Sequence, residues 1–290
     1  MKQMWFWWKN LIVPNIAIDF KYNTTLNQYV ITAVDSNVDI SHITLDTNFM
    51  VIDTTTITED YKGDTHDFLA LANGHKIISG KQYALMDLSA YTFKGEQGSD
   101  STTVRSTIIQ EFDENDSLVY SWDGLDFIHP SEFVDTYKYN VNDFDYSHVN
   151  AFDMDVDGNL VVSMRHNDAI YKIDWANKTG AIIWKLGSED SDFTFFGDTI
   201  PFSGQHDIRV LQNGYYSLYD NGNSKANQVS RAMHYELDTV NGTAEAKWAY
   251  QHPTNVYGKA TGSNHYVSEE YSLVNWGRVL RPAPYLFVSK

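Results

Sequence analysis

The chain has 290 residues, 42% apolar and 20% charged, with 38 acidic residues against 21 basic ones for a net charge of −17. Its 8 Trp, 19 Tyr and 15 Phe supply a packed interior and exclude disorder as the main state, and a negative surface without a Lys/Arg-rich run excludes nucleic acid as the expected partner. Zero cysteines exclude disulfides, thiolate nucleophiles, zinc–thiolate sites and Fe–S clusters.

The N-terminal stretch Met1 to Val13 is apolar but broken by Lys9 and Asn10, with no small-residue cleavage site. It reads as a poor signal peptide, too short to span a membrane, and it raises the expectation that the chain begins inside a longer protein. Residues 1–27 are expected to be an N-terminal extension and residues 28–290 a single domain.

Beyond it, helical periodicity is almost absent, and short β-branched and aromatic runs ending in Asn-Gly or Asp-Gly recur, which predicts an all-β fold. The expected strands are Tyr29 to Ala33, Phe49 to Thr54, His75 to Ser79, Ser106 to Phe112, Leu118 to Trp122, Leu160 to Met164, Ala169 to Ile173, Ala181 to Leu186, Tyr215 to Tyr219, Arg231 to Leu237 and Ala244 to Tyr250.

Aligning segments on histidine exposes a repeat. His66-Asp67-Phe68 runs to Asn73-Gly74, His148-Val149-Asn150 to Asp157-Gly158, and His206-Asp207-Ile208 to Asn213-Gly214. Each is a His-headed strand, a tight turn and a returning strand, followed by a strand bearing Trp122, Trp184 or Trp248. A degenerate fourth copy runs from His265 to Asn275-Trp276-Gly277. Intervals of roughly 60 to 80 residues suit antiparallel sheets with loop insertions, hence a β-propeller. In that fold the first residues of equivalent strands gather around a central channel, so the three histidines are expected to converge. The ends fit less well: about one strand, Tyr285 to Val288, follows the last copy, and the strands between Tyr29 and Thr56 are expected to complete it.

Asp153-Met154-Asp155-Val156-Asp157-Gly158 begins like an EF-hand calcium loop, but Met164 stands where its twelfth-position Glu should be and the following residues read as a strand. A hairpin turn is the expected structure. The Asn-Xaa-Thr sequons at Asn23, Asn177 and Asn241 carry no weight without a secretory context.

A histidine cluster has two chemical readings. Imidazoles ligate zinc, copper or iron, or one imidazole attacks while others move protons and donate hydrogen bonds. Arg165, at the end of the strand returning from His148, disfavours a dication and suits an oxyanion. His166, Arg209 and Arg231 lie near enough in sequence that alternation places only some of these side chains inward. A non-catalytic propeller binding phenolic or sulfated ligands, and a metallo-propeller using His66, His148 and His206, are the alternatives.

Thr65-His66-Asp67-Phe68 with Asn73-Gly74-His75, Tyr146-Ser147-His148-Val149-Asn150 with Ser163-Met164-Arg165, Gly204-Gln205-His206-Asp207 with Asp220-Asn221-Gly222, and Asn275-Trp276-Gly277 together resemble the bacterial arylsulfotransferases that do not use the nucleotide donor PAPS. The likeness covers roughly residues 28 to 280. It implies a six-bladed β-propeller and a ping-pong reaction, in which a phenolic sulfate gives its sulfuryl group to a histidine that passes it to a phenol. Matched residue by residue, His206 is similar to the nucleophile, and His66, His148, Asn150 and Arg165 to the residues that bind the sulfuryl oxygens and assist proton transfer.

The resemblance implies no metal and no redox cofactor, a small-molecule phenolic sulfate donor and phenol acceptor as partners, and a periplasmic or secreted location, although no export signal is legible in the chain. Homo-oligomerisation is left open. The net charge is unfavourable for long-range steering of an anionic donor, so local donors must overcome it. Tyr146, Phe202 and Tyr219 are aromatics close to the motifs, for which ordinary core packing is the leading expectation.

Overall fold

The computed structural model describes residues 16–58, 60–134, 136–279 and 286–289. It divides into two compact units, one of residues 1–84 and 105–126, the other of residues 85–104 and 127–290. The expected signal-like stretch and Tyr285 lie outside the described residues.

In the first unit, β1 (Ile16–Asn23), β2 (Gln28–Val34), β3 (Ile40–Leu45) and β4 (Val51–Thr55) form a consecutive antiparallel sheet. β1 thus falls within the stretch expected to be an extension, and it pairs along its length with β2. The N-terminal strands make a sheet of their own rather than completing the last repeat. A second sheet begins with β5 (Lys62–Ala70) and β6 (Lys76–Met86). A small ribbon of β7 (Thr92–Phe93) and β8 (Glu96–Gln97) belongs to the other unit, after which β9 (Thr102–Phe112) and β10 (Leu118–Asp123) complete the order β10-β9-β6-β5. Val30, Phe68, Ile78 and Phe112 form one buried apolar cluster here, and Ile31, Ala33, Ile43 and Leu45 another.

In the second unit, β11 (Phe144–Asp145) precedes the sheet of β12 (Val149–Met154), β13 (Leu160–Met164), β14 (Ala169–Ile173) and β15 (Ile182–Gly187), again in consecutive order. β16 (Thr194–Phe196) pairs in parallel with β20 (Thr243–Gln251) at one edge of the next sheet, which continues through β19 (Arg231–Asp238) and β18 (Tyr216–Asp220) to β17 (His206–Val210) at the other edge. The last sheet has β21 (Ser263–Tyr266), β22 (Tyr271–Asn275) and β23 (Leu286–Ser289). Ile170, Leu186, Ile208, Leu218 and Tyr235 are fully buried in the core between the first two of these sheets.

The protein is therefore all-β, built from the consecutive antiparallel sheets of a β-propeller. All eleven expected strands are present, most with ends shifted by a residue or two. The repeated turns explain why they were legible. In each, Gly74, Gly158 or Gly214 adopts a positive φ and donates to the carbonyl three residues back, at 2.9 Å from Leu71, Asp155 or Leu211. Only glycine takes that conformation without a Cβ penalty. The fourth copy departs from the pattern: His265 is exposed within β21, and its buried neighbour Asn264 donates to the carbonyls of Leu218 and Met233.

The Asp153–Gly158 segment is the hairpin turn expected. Asp155 and Asp157 both hold the Lys172 ammonium, at 2.6 and 2.7 Å, and the Tyr216 hydroxyl donates to Asp155 at 2.6 Å. A lysine supplies the positive charge that the carboxylates require.

Candidate functional site

The heads of the three His-bearing strands share a backbone irregularity. Register slips between Gly63 and Phe68 in β5, between Val149 and Ala151 in β12, and between His206 and Arg209 in β17. Such bulges bend a strand and re-aim its side chains. His148 and Asp207 take left-handed φ angles of 52° and 56° beside two of them.

His66 belongs to the first unit. Its Nδ1 lies 2.5 Å from Asp64, which Lys81 also approaches at 3.4 Å. Burial would raise the Asp64 carboxyl, but His66 and Lys81 together hold it well below the ordinary carboxylate range. The neighbouring Asp67 is buried and holds Lys21.

In the second unit, His206 is buried, and its tautomer can be read from its partners. Nε2 accepts a hydrogen bond from the main-chain N–H of Thr261 at 3.1 Å, so the ring proton sits on Nδ1. Nδ1 donates to the Asn221 amide oxygen at 2.7 Å and the Gly204 carbonyl at 2.9 Å. The Asn221 amide cannot be turned around, because its nitrogen donates to the carbonyls of Gly258 at 2.6 Å and Thr261 at 3.0 Å. Asn150 approaches the same strand: its amide nitrogen donates at 2.6 Å to the carbonyl of Gln205, directly before His206. One amide hydrogen of Asn150 is thereby committed to the backbone.

His148 and Arg165 meet across the β12–β13 hairpin, where Arg165 N donates to the His148 carbonyl at 3.1 Å. His148 donates from Nδ1 to Asp145 at 2.6 Å and stacks on His166 with ring centres 4.6 Å apart. His166 donates from Nδ1 to the Asp145 carbonyl and accepts at Nε2 from the Arg165 guanidinium at 2.9 Å. Burial, and then the neighbouring His148, push the His166 imidazole down to about 3, so it stays neutral and available as an acceptor. The Arg165 guanidinium also lies 4.6 Å over the Tyr137 ring and donates to the Lys259 carbonyl at 3.1 Å.

Three arginines that the sequence could not sort are now separated. Arg209 pairs with Asp207, and Arg231 with Asp198 and Asp220. Arg165 pairs with no carboxylate among the described residues. In a chain of charge −17, a guanidinium left beside neutral groups is a ready partner for an anion. Asp145, His148 and His166 bring potential ligand atoms within 4.8 Å of one another, but the guanidinium already occupies His166 Nε2. A dication at ~5 Å from it would meet repulsion on the order of 6 kcal/mol at an effective dielectric near 20. The residues present do not fit a metal there.

Tyr146, Phe202 and Tyr219 are all buried, Phe202 and Tyr219 in apolar clusters, as core packing requires. Sequence reasoning missed His166 as a neutral acceptor, Asn221 as the partner of His206, and Tyr137 as the platform under Arg165. Asn221 stood within a motif, but its role depends on a fold-back of 15 residues that spacing does not reveal.

The arylsulfotransferase (ASST) family model matches residues 42–280. The chain belongs to that family. No curated protein matches it. Among solved structures, this arylsulfotransferase-family chain is similar to the major allergen Mala s 1 of Malassezia sympodialis, with 11% identity over 88% of this chain and 86% of that one and a TM-score of 0.46. It is similar also to a catalytically inactive virginiamycin B lyase from Staphylococcus aureus with quinupristin, with 9% identity over 90% and 77% of the two chains and a TM-score of 0.46. A GH43 protein from Bacillus licheniformis has 11% identity over 91% and 49%, with a TM-score of 0.43. No helix among the described residues is long and apolar enough to cross a membrane.

Proposed function

We propose that the protein is an arylsulfate sulfotransferase that moves a sulfuryl group from a phenolic sulfate ester to a phenol through a sulfohistidine on His206. The observation that carries this reading is that one short segment meets both groups: the Thr261 N–H caps Nε2 of a neutral, Nδ1-protonated His206, and the Lys259 carbonyl accepts from the guanidinium of Arg165, which no described carboxylate neutralises.

In the first half-reaction the Nε2 lone pair attacks sulfur, the S–N bond forms and the sulfur–phenolate oxygen bond breaks, with the electron pair leaving on the phenolate. Nε2 must first exchange its hydrogen bond from Thr261 for sulfur, which frees that main-chain N–H for a sulfuryl oxygen. Arg165 supplies fixed positive charge to the sulfuryl oxygens, and the second amide hydrogen of Asn150 supplies a further donor. As the S–N bond forms, Asn221 and the Gly204 carbonyl accept from Nδ1–H and stabilise charge on the ring. In the second half-reaction a phenol oxygen attacks sulfur, the S–N bond breaks and the imidazole is restored. His148, with Nδ1 held by Asp145, carries a proton to the leaving phenolate and takes one from the acceptor phenol. His66 is assigned the same class of role on the family resemblance alone.

The test is nitrophenolate release from 4-nitrophenyl sulfate, with and without phenol, for the parent and for His206→Ala. Release that depends on phenol in the parent and vanishes in the folded variant supports the reading. A folded parent that binds aryl sulfates without releasing nitrophenolate in the presence of phenol contradicts it.

A further inference from the structure

Asp168 lies outside the motifs that carry the family resemblance, yet its carboxylate joins the two halves of the second unit's site. It follows Arg165, His166 and Asn167, a single 3-10 turn, and takes a left-handed backbone at φ 47° that aspartate tolerates. Oδ1 accepts from the Gly204 N–H at 2.6 Å and from the Tyr137 hydroxyl at 3.1 Å, and Oδ2 accepts from the Ser224 hydroxyl at 2.6 Å. Each donor leads somewhere. Gly204 offers its carbonyl to Nδ1 of His206, and Tyr137 lies beneath the Arg165 guanidinium and 4.4 Å from the His166 ring.

The Gly204 peptide has little freedom of its own. At φ 60°, an added Cβ would fall 2.1 Å from the Asn223 amide oxygen and 2.7 Å from the Tyr137 hydroxyl. Asp168 holds the N–H of the peptide before the Gly204 Cα and His206 the carbonyl of the peptide after it, so a displaced carboxylate lets the Gly204 backbone rotate and alters the acceptor facing Nδ1.

We propose that Asp168 is a positioning residue, which fixes the backbone of Gly204, whose carbonyl orients His206, and the Tyr137 ring that carries Arg165. This rests on the reading of His206 as the sulfuryl carrier. Burial raises the Asp168 carboxyl above its ordinary range, as suits a buried group set among neutral donors. It also lines a cleft of about 760 Å³, with Phe93, Phe133, Phe202 and Ser224, so a small carboxylate has a route to its position.

Asp168→Gly removes the carboxylate while keeping a backbone that accepts positive φ. The expected loss is about tenfold or more in kcat, the usual scale for a partner that orients a reacting group, with KM for the donor changed much less. Formate restores part of the lost rate, which a merely structural defect would not allow. Independently of turnover, the ¹⁵N shifts of the His206 imidazole show a single Nδ1-protonated tautomer in the parent, a mixture in Asp168→Gly, and the parental pattern on adding formate. Where Asp168→Gly does not fold, Asp168→Asn replaces it, with the tautomer mixture as its expected signature. A folded variant with parental kcat and parental nitrogen shifts overturns the proposal, as does a loss that formate leaves untouched. A parent without transferase activity would overturn the reading of His206 instead, and the nitrogen shifts would still decide the role of Asp168.

Discussion

The amide oxygen of Asn221 stands 2.7 Å from Nδ1 of His206, and the same amide's nitrogen is anchored on two carbonyls of the segment that caps Nε2. One side chain therefore sets the tautomer of the imidazole and the position of the backbone over its reactive nitrogen. Asn221→Ala is expected to lower kcat by about 10–100-fold. It also leaves the Gly258 and Thr261 carbonyls without that donor, at a cost of about 1–3 kcal/mol in stability. Steady-state kinetics beside urea unfolding separates the two effects, and a folded variant with parental kcat would remove Asn221 from the account.

Arg165 is held by an imidazole, a carbonyl and an aromatic face, each of which uses the planar guanidinium. Lysine keeps the charge but loses the fork and the stacking. Arg165→Lys is expected to lower kcat/KM by about 100-fold, the scale for one lost transition-state donor, with the larger part in kcat. An unchanged kcat with only a raised KM would mean that the guanidinium binds the donor without stabilising the transition state.

Two buried histidines make stability depend on pH. Burial first, then Lys21, lowers His42 to about 4, and His166 lies near 3. Both folded values are below the unfolded value near 6.5, so the unfolded chain binds more protons between them. Their contribution is complete above pH ~6.5 and is lost as pH falls through the folded values. For His42 it is on the order of 3 kcal/mol. Urea midpoints should fall between pH about 6.5 and 4, and His42→Gln should flatten that slope. A midpoint constant over this window would contradict the burial argument.

Lys172, a buried residue of β14, closes the Asp155–Asp157 turn. Lys172→Met leaves Asp155 buried without its cation, and the expected destabilisation is about 3 kcal/mol. Thermal unfolding measures it. A variant as stable as the parent would show that the turn carries itself on backbone hydrogen bonds alone.

The repeat was legible because a glycine at positive φ closes the turn after each His-bearing segment, a requirement written into local sequence. The histidines do not all head their strands, however: His206 opens β17, His148 directly precedes β12, and His66 lies within β5. What local sequence could not supply was the partner of each head. Arg165, Arg209 and Arg231 are alike in sequence, and only the fold shows that the last two are neutralised by carboxylates. β1 falls in the expected extension although Ile18-Asp19-Phe20-Lys21-Tyr22-Asn23 alternates strictly, and β3 escaped notice because adjacent Ser41 and His42 interrupt its alternation. His42 is nonetheless buried, with Thr32 as its partner at 3.1 Å, a cross-strand pairing that depends on register.

Covalent carriage of the sulfuryl group by His206 is read by mixing the protein with 4-nitrophenyl sulfate without an acceptor, quenching at alkaline pH and sequencing the digest by mass spectrometry. The expected result is one sulfuryl group on the peptide containing His206, removed on brief incubation with phenol and absent from His206→Ala. A parent that transfers the sulfuryl group to phenol, releasing nitrophenolate, while His206 remains unmodified would contradict it.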